Sequence, residues 1–451
     1  MKQNFDSETP FDTRFDFDTP VERRGSGCYK WDEPLGEGAP ADFIPLWVAD
    51  MDFPTAPPVR RAVEARAAHG VFGYTQVGTD YYEAILSWFS RRHGWLIDRE
   101  DILYTSGVVP ALSCAIKALA MPGEQVVVLS PVYNCFFSSI RNNGCQVLEC
   151  PLLYEEATYH VDWDAFEACC AQEKTTLFLL CNPHNPAGRV WTPDELARMN
   201  DICLRHGVTV VSDEIHCELV MPGCRFTPFA AVSPACRDNA VVLNSPSKSF
   251  NTAGLQIANI ICHNAEWRRR IDRAININEV CDVNPFGPVA LVAAYTDPGS
   301  EAWLDALNHY IQGNYNLLCD FFAREFPARE FPACEFPACE FPACGDETSA
   351  SRRPVVTVTR LEGTYLAWLD VHRLLQPGLP DSVMPGLTGH LTDALADRLL
   401  AEARVKLASG TLYGPRTGEG FLRLNLATQR ARLTEALHRM LPVLRTAARR
   451  D

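Results

Sequence analysis

From Thr55 to Tyr295 the chain alternates short, largely apolar runs of strand length with punctuated helical segments, and this alternation restricts its possible folds more than any other feature. The runs are QVVVLS at 125–130, TLFLLC at 176–181, VTVVSD at 208–213, AVVLNS at 240–245 and QIANIIC at 256–262. They predict strands buried on both faces. Residues 55–70 read as a helix with prolines in its first turn and Gly70 at its end. A second helix, VVPALSCAIKAL, starts after Gly107, with Val109, Leu112, Ile116 and Leu119 at helical spacing. Thr192, Pro193 and Glu195 supply the N-cap, first position and capping box of a third, which Gly207 closes. Strands and helices in turn predict an α/β fold with a three-layer, mostly parallel sheet.

After Tyr295 the pattern changes. A helical stretch near 301–323 leads into a tandem repeat, EFPAREFPACEFPACEFPACGDE (325–347). VVTVTRL and TYLAWLDV follow as strand-like runs joined at Glu362–Gly363, then helical patterns at 388–406 and 430–448 flanking the strand-like FLRLNLA. The expected organisation is a wrapping N-terminal segment (1–54), a large α/β domain (55–295) and a smaller α+β domain (296–451) carrying the repeat. With 41 Lys plus Arg against 56 Asp plus Glu, the net charge of −15 opposes a nucleic-acid or anionic-membrane surface. The N-terminus lacks an apolar signal core, no run is long enough to span a bilayer, and the 18 cysteines contain no CxxC. A cytoplasmic protein with reduced thiols is expected.

In open α/β sheets, ligands bind at the carboxyl ends of the strands. Those ends carry Ser106–Gly107 before a helix, Tyr133, Asn182 and Asn185, Asp213 to His216, and the run Ser245 to Asn251. A glycine turn at a helix N-terminus suits a phosphate, with Ser245, Ser247 and Ser249 as further donors. Tyr133 offers a flat face, Asp213 a partner for a protonated ring nitrogen, and Asn185 a donor to a ring oxygen. Lys248 is the nearby amine that can bind an aldehyde. Phosphate, flat ring, ring nitrogen and aldehyde together describe pyridoxal phosphate.

SPSKSFNTAG, CNPHNPAGRV and VVSDEIH resemble the lysine, asparagine and aspartate motifs of the fold-type I pyridoxal-phosphate enzymes, the class I/II aminotransferase superfamily. PLWVADMDFPT (45–55), GVFGYTQVG (70–78) and SGVVPAL (106–112) resemble its cystathionine β-lyase-like C–S lyase subgroup. The resemblance covers nearly the whole chain outside the repeat. It implies that Lys248 carries the cofactor and then moves the substrate α-proton. Asp213 would pair with the ring nitrogen, Asn185 and His216 would serve the ring oxygen, and Tyr133 would stack on the ring. Val108, Val109 and Ser245 would hold the phosphate, Tyr74 would reach the phosphate of a neighbouring subunit in a homodimer, and Arg423 would clamp the substrate carboxylate. The position eight residues after the lysine, often arginine in aminotransferases, is Gln256 here. The implied reaction is α,β-elimination from cystathionine, cysteine or another S-substituted cysteine. An aminotransferase, and a binding or regulatory protein on the same fold, are the alternatives.

Each residue also has a plainer reading. SxxK occurs in surface turns and in penicillin-binding proteins, but no KTG follows. Asp213 could cap a helix, His216 and Tyr133 could fill the core, and Arg423 could be a structural ion-pair partner. Their co-occurrence at successive strand ends favours the cofactor site. No metal site is expected at Cys334, Cys339 and Cys344: a five-residue step does not bring thiols together on a helix or a strand. The repeat reads as a tolerated loop duplication, and removing Glu330–Cys344 is expected to spare activity.

Overall fold

The computed structural model describes residues 15–33, 40, 42–277, 282–327, 329–330, 352–375 and 391–448. Among them, a seven-stranded sheet forms the centre, with strands β1 (Ile102–Thr105), β2 (Gln125–Ser130), β3 (Gln146–Pro151), β4 (Thr175–Cys181), β5 (Thr209–Asp213), β6 (Ala240–Asn244) and β7 (Ala258–Ile261) in the spatial order β1-β7-β6-β5-β4-β2-β3. The β2/β3, β2/β4, β4/β5 and β5/β6 pairs are parallel. Strand β7 runs antiparallel to both β6 and β1. It is the one reversed strand of this sheet, so the carboxyl ends of β1, β2, β4, β5 and β6 share one edge.

The apolar runs are continuous because both faces are covered. Val126, Val128, Leu177, Leu179, Val211, Val241 and Leu243 pack into one core, while Val127, Leu129, Phe178, Leu180, Val210 and Val242 pack into the other. Each such side chain contributes about 1.5–3 kcal/mol on burial. The first face is covered by α3 (Val108–Leu119), α4 (Asn134–Asn142) and α7 (Ala265–Ile277), where α1 is Pro57–Ala68, α2 Thr79–His93, α5 Trp163–Cys170 and α6 Pro193–Arg205. The capping box of Thr192 and Glu195 opens α6 as read from the sequence. The helix stops at Arg205, ahead of the αL glycine Gly207. Helices α8 (Phe286–Thr296) and α9 (Pro298–Glu325) follow, α8 packing on α1 and α2.

A four-stranded antiparallel sheet holds β8 (Thr357–Val358), β9 (Leu366–Asp370), β10 (Ala408–Ser409) and β11 (Phe421–Asn425), ordered β8-β9-β11-β10. Helices α10 (Leu391–Ala403) and α11 (Arg430–Ala447) pack on each other beside it. Ile44–Pro45 pairs in parallel with Val405–Lys406, so the N-terminal segment joins the C-terminal part of the chain. Arg329–Glu330, at the junction of the first two units of the repeat, pairs with Arg352–Arg353 beyond it. Cys334, Cys339 and Cys344 lie outside the described residues.

Gly363 couples the two sheets. Its N–H donates to the Gly188 carbonyl, and a Cβ there would come within 2.7 Å of Pro183 and 2.8 Å of Val190. The turn before β9 is thereby pressed against the loop after β4 that carries Asn185.

Candidate active site

At the shared edge lies a cavity of about 280 Å³, lined by Val108, Val109, Tyr133, Asn185, Asp213, His216, Lys248 and Gln256, with Ala49, Ser106, Cys181, Ile215 and Ser247 among its other walls. Seven predicted residues therefore come together although they are spread over about 140 positions of sequence. Gly107 precedes α3 without any side-chain cap. The first-turn amides of a helix have no acceptor within it, so those of Val108 and Val109 are free to serve an anion.

Asp213 is the last residue of β5 and is 3% exposed. Burial pushes its carboxyl up to about 6, against the N–H of Ile215 at 3.1 Å and the charge of Lys248. Lys248 sits in the short helix Pro246–Ser249 after β6. Its amine donates to the Ala49 carbonyl at 2.6 Å. Burial lowers its basicity, with Arg423 acting in the same direction and Asp50 and Asp213 opposing. His216 is buried against Tyr365, edge to face at 5.8 Å, and its Nδ1 has no hydrogen-bond partner among the described residues. Burial, followed by the charges of Lys248 and Arg423, holds it well below the usual imidazole range, so it is neutral.

Three predicted residues are not among the lining: Ser245 and Tyr74 stand apart from the cavity, and Arg423 adjoins it through Asn185. Ser245 caps the short helix: its hydroxyl accepts from the Ser247 N–H at 3.1 Å and donates to the Ile257 carbonyl at 2.6 Å. That hydroxyl is thus taken by the protein's own backbone, and Ser247 is the serine on the cavity wall. Tyr74 is 99% exposed and contributes nothing to the cavity of its own chain.

Arg423, in the middle of β11, is 5% exposed. It donates to Asn185 Oδ1 at 3.1 Å and to the Trp47 carbonyl at 2.8 Å, and its guanidinium lies 4.6 Å from the centre of the Tyr413 ring. No carboxylate forms an ion pair with it among the described residues, and its Nε has no partner. The ion-pair reading of Arg423 therefore fails. A buried, uncompensated cation beside a cavity is suited to an anionic ligand.

Sequence reasoning gave no role to Ala49, Tyr365 or Asn425. Tyr365 donates to the Ala49 carbonyl at 2.9 Å, and Asn425 to the carbonyls of Val48 and Asp50, both at 2.6 Å. TYLAWLDV and FLRLNLA revealed Tyr365 and Asn425 only as strand residues, and Ala49 stood only within the motif PLWVADMDFPT. Away from the cavity, His93, Cys217 and Glu218 cluster. The Glu218 oxygens already accept from Trp88 (2.7 Å), His93 (2.6 Å) and Arg92 (3.2 Å), the bonding of an ion-pair network.

Comparison with known proteins gives the same picture. The family model for aminotransferase class I and II matches residues 41–440. The chain is 37% identical to the cystathionine β-lyase PatB of Bacillus subtilis over 94% of this chain and 98% of that protein. It is 32% identical to the protein MalY of Escherichia coli over 96% and 99%. Among solved structures, cystalysin from Treponema denticola, which contains pyridoxal 5'-phosphate, superposes with a TM-score of 0.83 at 30% identity, covering 96% of this chain and 99% of that one. The chain belongs to the aminotransferase class I and II family.

Proposed function

We propose that this chain is a pyridoxal-phosphate-dependent C–S β-lyase that cleaves cystathionine, cysteine or another S-substituted cysteine to pyruvate, ammonia and a thiol. The observation that carries the reading is the meeting of Lys248, Asp213 and the uncapped start of α3 in one buried cavity. The walls fit the cofactor: an unpartnered His216 Nδ1, a buried carboxylate, a buried amine and free helix amides each match one of its polar groups. Similarity to a cystathionine β-lyase over nearly the full length of both chains supports the lyase assignment.

Val108 and Val109 would hold the phosphate through backbone N–H groups, with Ser247 and Gln256 beside them; Ser245 supports that loop as a helix cap. Tyr133 would cover the ring, Asp213 would hold the proton of the ring nitrogen, and Asn185 and His216 would serve the ring oxygen. Bound here, pyridoxal phosphate supplies an aldehyde for the substrate amine and a ring that accepts the electron pair left at the α-carbon. Arg423 binds the substrate carboxylate. Lys248 takes the α-proton, its buried amine being less basic than in water. The C–S electron pair leaves with sulfur, and Lys248 can return the proton to it. One water is consumed for each pyruvate, ammonia and thiol released.

The reading includes a homodimer in which Tyr74 reaches the partner's phosphate site, supported by the exposed cluster of Val71 (64%), Phe72 (57%) and Tyr74 (99%). It places the enzyme in the cytoplasm, where its described cysteines, all free thiols, would stay reduced. It also retains the division at 1–54, 55–295 and 296–451, supported by the separation of the two sheets in sequence. Lys248→Ala tests the assignment: turnover and the visible absorbance of the lysine-linked cofactor should both vanish. A variant retaining both would overturn it.

A further inference from the structure

Residues Trp47–Met51 form no sheet, yet each of their consecutive carbonyls accepts a side-chain hydrogen bond. Trp47 takes Arg423 at 2.8 Å, and Val48 takes Asn425 at 2.6 Å. Ala49 takes both Lys248 (2.6 Å) and Tyr365 (2.9 Å). Asp50 takes Asn425 (2.6 Å) and Lys30 (3.3 Å), and Met51 takes Arg23 and Asn251, each at 3.0 Å. Exposed carbonyls are usually satisfied by water. Five in a row held by named side chains make a fixed ledge beside the cavity.

The donors come from two sides. Tyr365 stands in the turn before β9 and Arg423 and Asn425 belong to β11, whereas Lys248 and Asn251 follow β6 of the seven-stranded sheet. Asn425 grips the carbonyls on either side of Ala49, and Tyr365 shares the Ala49 oxygen with the lysine. Among the described residues, that oxygen is the hydrogen-bond acceptor of the Lys248 amine.

We propose that Tyr365 and Asn425 are positioning residues for Lys248, acting through the Ala49 carbonyl that they hold in place. A lysine amine rides on a flexible four-carbon stem, so a rigid acceptor fixes where it rests and where its lone pair points. The inference rests on Lys248 being the reacting amine. It adds that the small antiparallel sheet sets the position of that amine through backbone atoms of the N-terminal segment. The charged and titratable groups facing the amine are Asp50, Asp213, Arg423, Cys135 and His216. None of them contacts the Tyr365 hydroxyl through a hydrogen bond in the described structure, so removing that hydroxyl leaves the surrounding charges unchanged.

The test uses full-length Tyr365→Phe and Asn425→Ala. In the cofactor-free chain, the pH dependence of Lys248 acetylation by acetic anhydride, read by mass spectrometry, reports the amine directly. A less firmly held carbonyl serves the ammonium less well, so the midpoint should fall by about half a pH unit or more. In the holoenzyme, kcat should fall about tenfold while KM changes less than about twofold. Tyr365→Phe removes one oxygen atom and keeps the ring, so it decides the matter if Asn425→Ala does not fold. An unchanged or raised midpoint in folded Tyr365→Phe overturns the inference. If Lys248→Ala remains active, it is the proposed function that fails, whatever the acetylation shows.

Discussion

The Arg423 guanidinium is buried between two neutral acceptors and the Tyr413 face, with no carboxylate paired to it among the described residues. A substrate carboxylate would supply the missing charge bidentately, a geometry that lysine cannot reproduce. Arg423→Lys should therefore raise KM for the amino acid by about 10- to 100-fold with a smaller change in kcat, as steady-state kinetics would show; an unchanged KM would exclude the clamp. Glu214 has no role in the mechanism, but it is fully buried, and burial pushes its carboxyl up to about 8 against the Phe229 N–H and the Ser212 hydroxyl. Its folded state favours the neutral form, so its stabilising contribution is complete below about pH 4 and is lost as pH rises through about 8. Glu214→Gln should consequently melt progressively higher than the parent protein between pH 5 and pH 9, as calorimetry of both proteins across that range would reveal. At this scale Lys248, Asp213 and Asn185 were legible because their side chains are chemically distinctive and stand at strand ends. Ala49 was not, because it acts through a carbonyl that every residue possesses.

Among the elements, the turn holding Gly363 and the loop holding Asn185 touch with no room for another atom. Gly363→Ala should destabilise the protein by about 1–3 kcal/mol and, by shifting the Asn185 loop, lower cofactor affinity; a melting temperature and cofactor titration like those of the parent would refute this. The pairing of Arg329–Glu330 with Arg352–Arg353 joins the first units of the repeat to the chain beyond it. Deleting Glu335–Cys344 retains Glu330 and its pairing, and should leave kcat/KM within about twofold, since loop length costs little entropy. A large loss of activity in a folded protein would give the repeat a role. Strands β2, β4, β5 and β6 were readable because burial on both faces writes an unbroken apolar run. Strand β3, QVLECP, was not: it lies at the sheet edge, half-exposed along most of its length, and mixes polar with apolar residues. The reversed direction of β7 left no mark either, because apolar content does not encode strand polarity.

Across the whole molecule, the site depends on three stretches far apart in sequence: the ledge at 47–51, the strand ends of the large sheet and the small sheet carrying Arg423. The order of motifs foretold the second and third, whereas the convergence of all three is a property of tertiary packing. The exposed Tyr74 cluster predicts a dimer, so light scattering should give twice the chain mass of 50.2 kDa. A fully active monomer would remove Tyr74 from the site. The central claim is elimination at a C–S bond, and its most direct test supplies the purified, cofactor-loaded enzyme with L-cystathionine and no 2-oxo acid. Pyruvate and free thiol should appear in equal amounts, and neither should appear with Lys248→Ala; absence of both from the parent enzyme, with amino transfer once a 2-oxo acid is added, would contradict the claim.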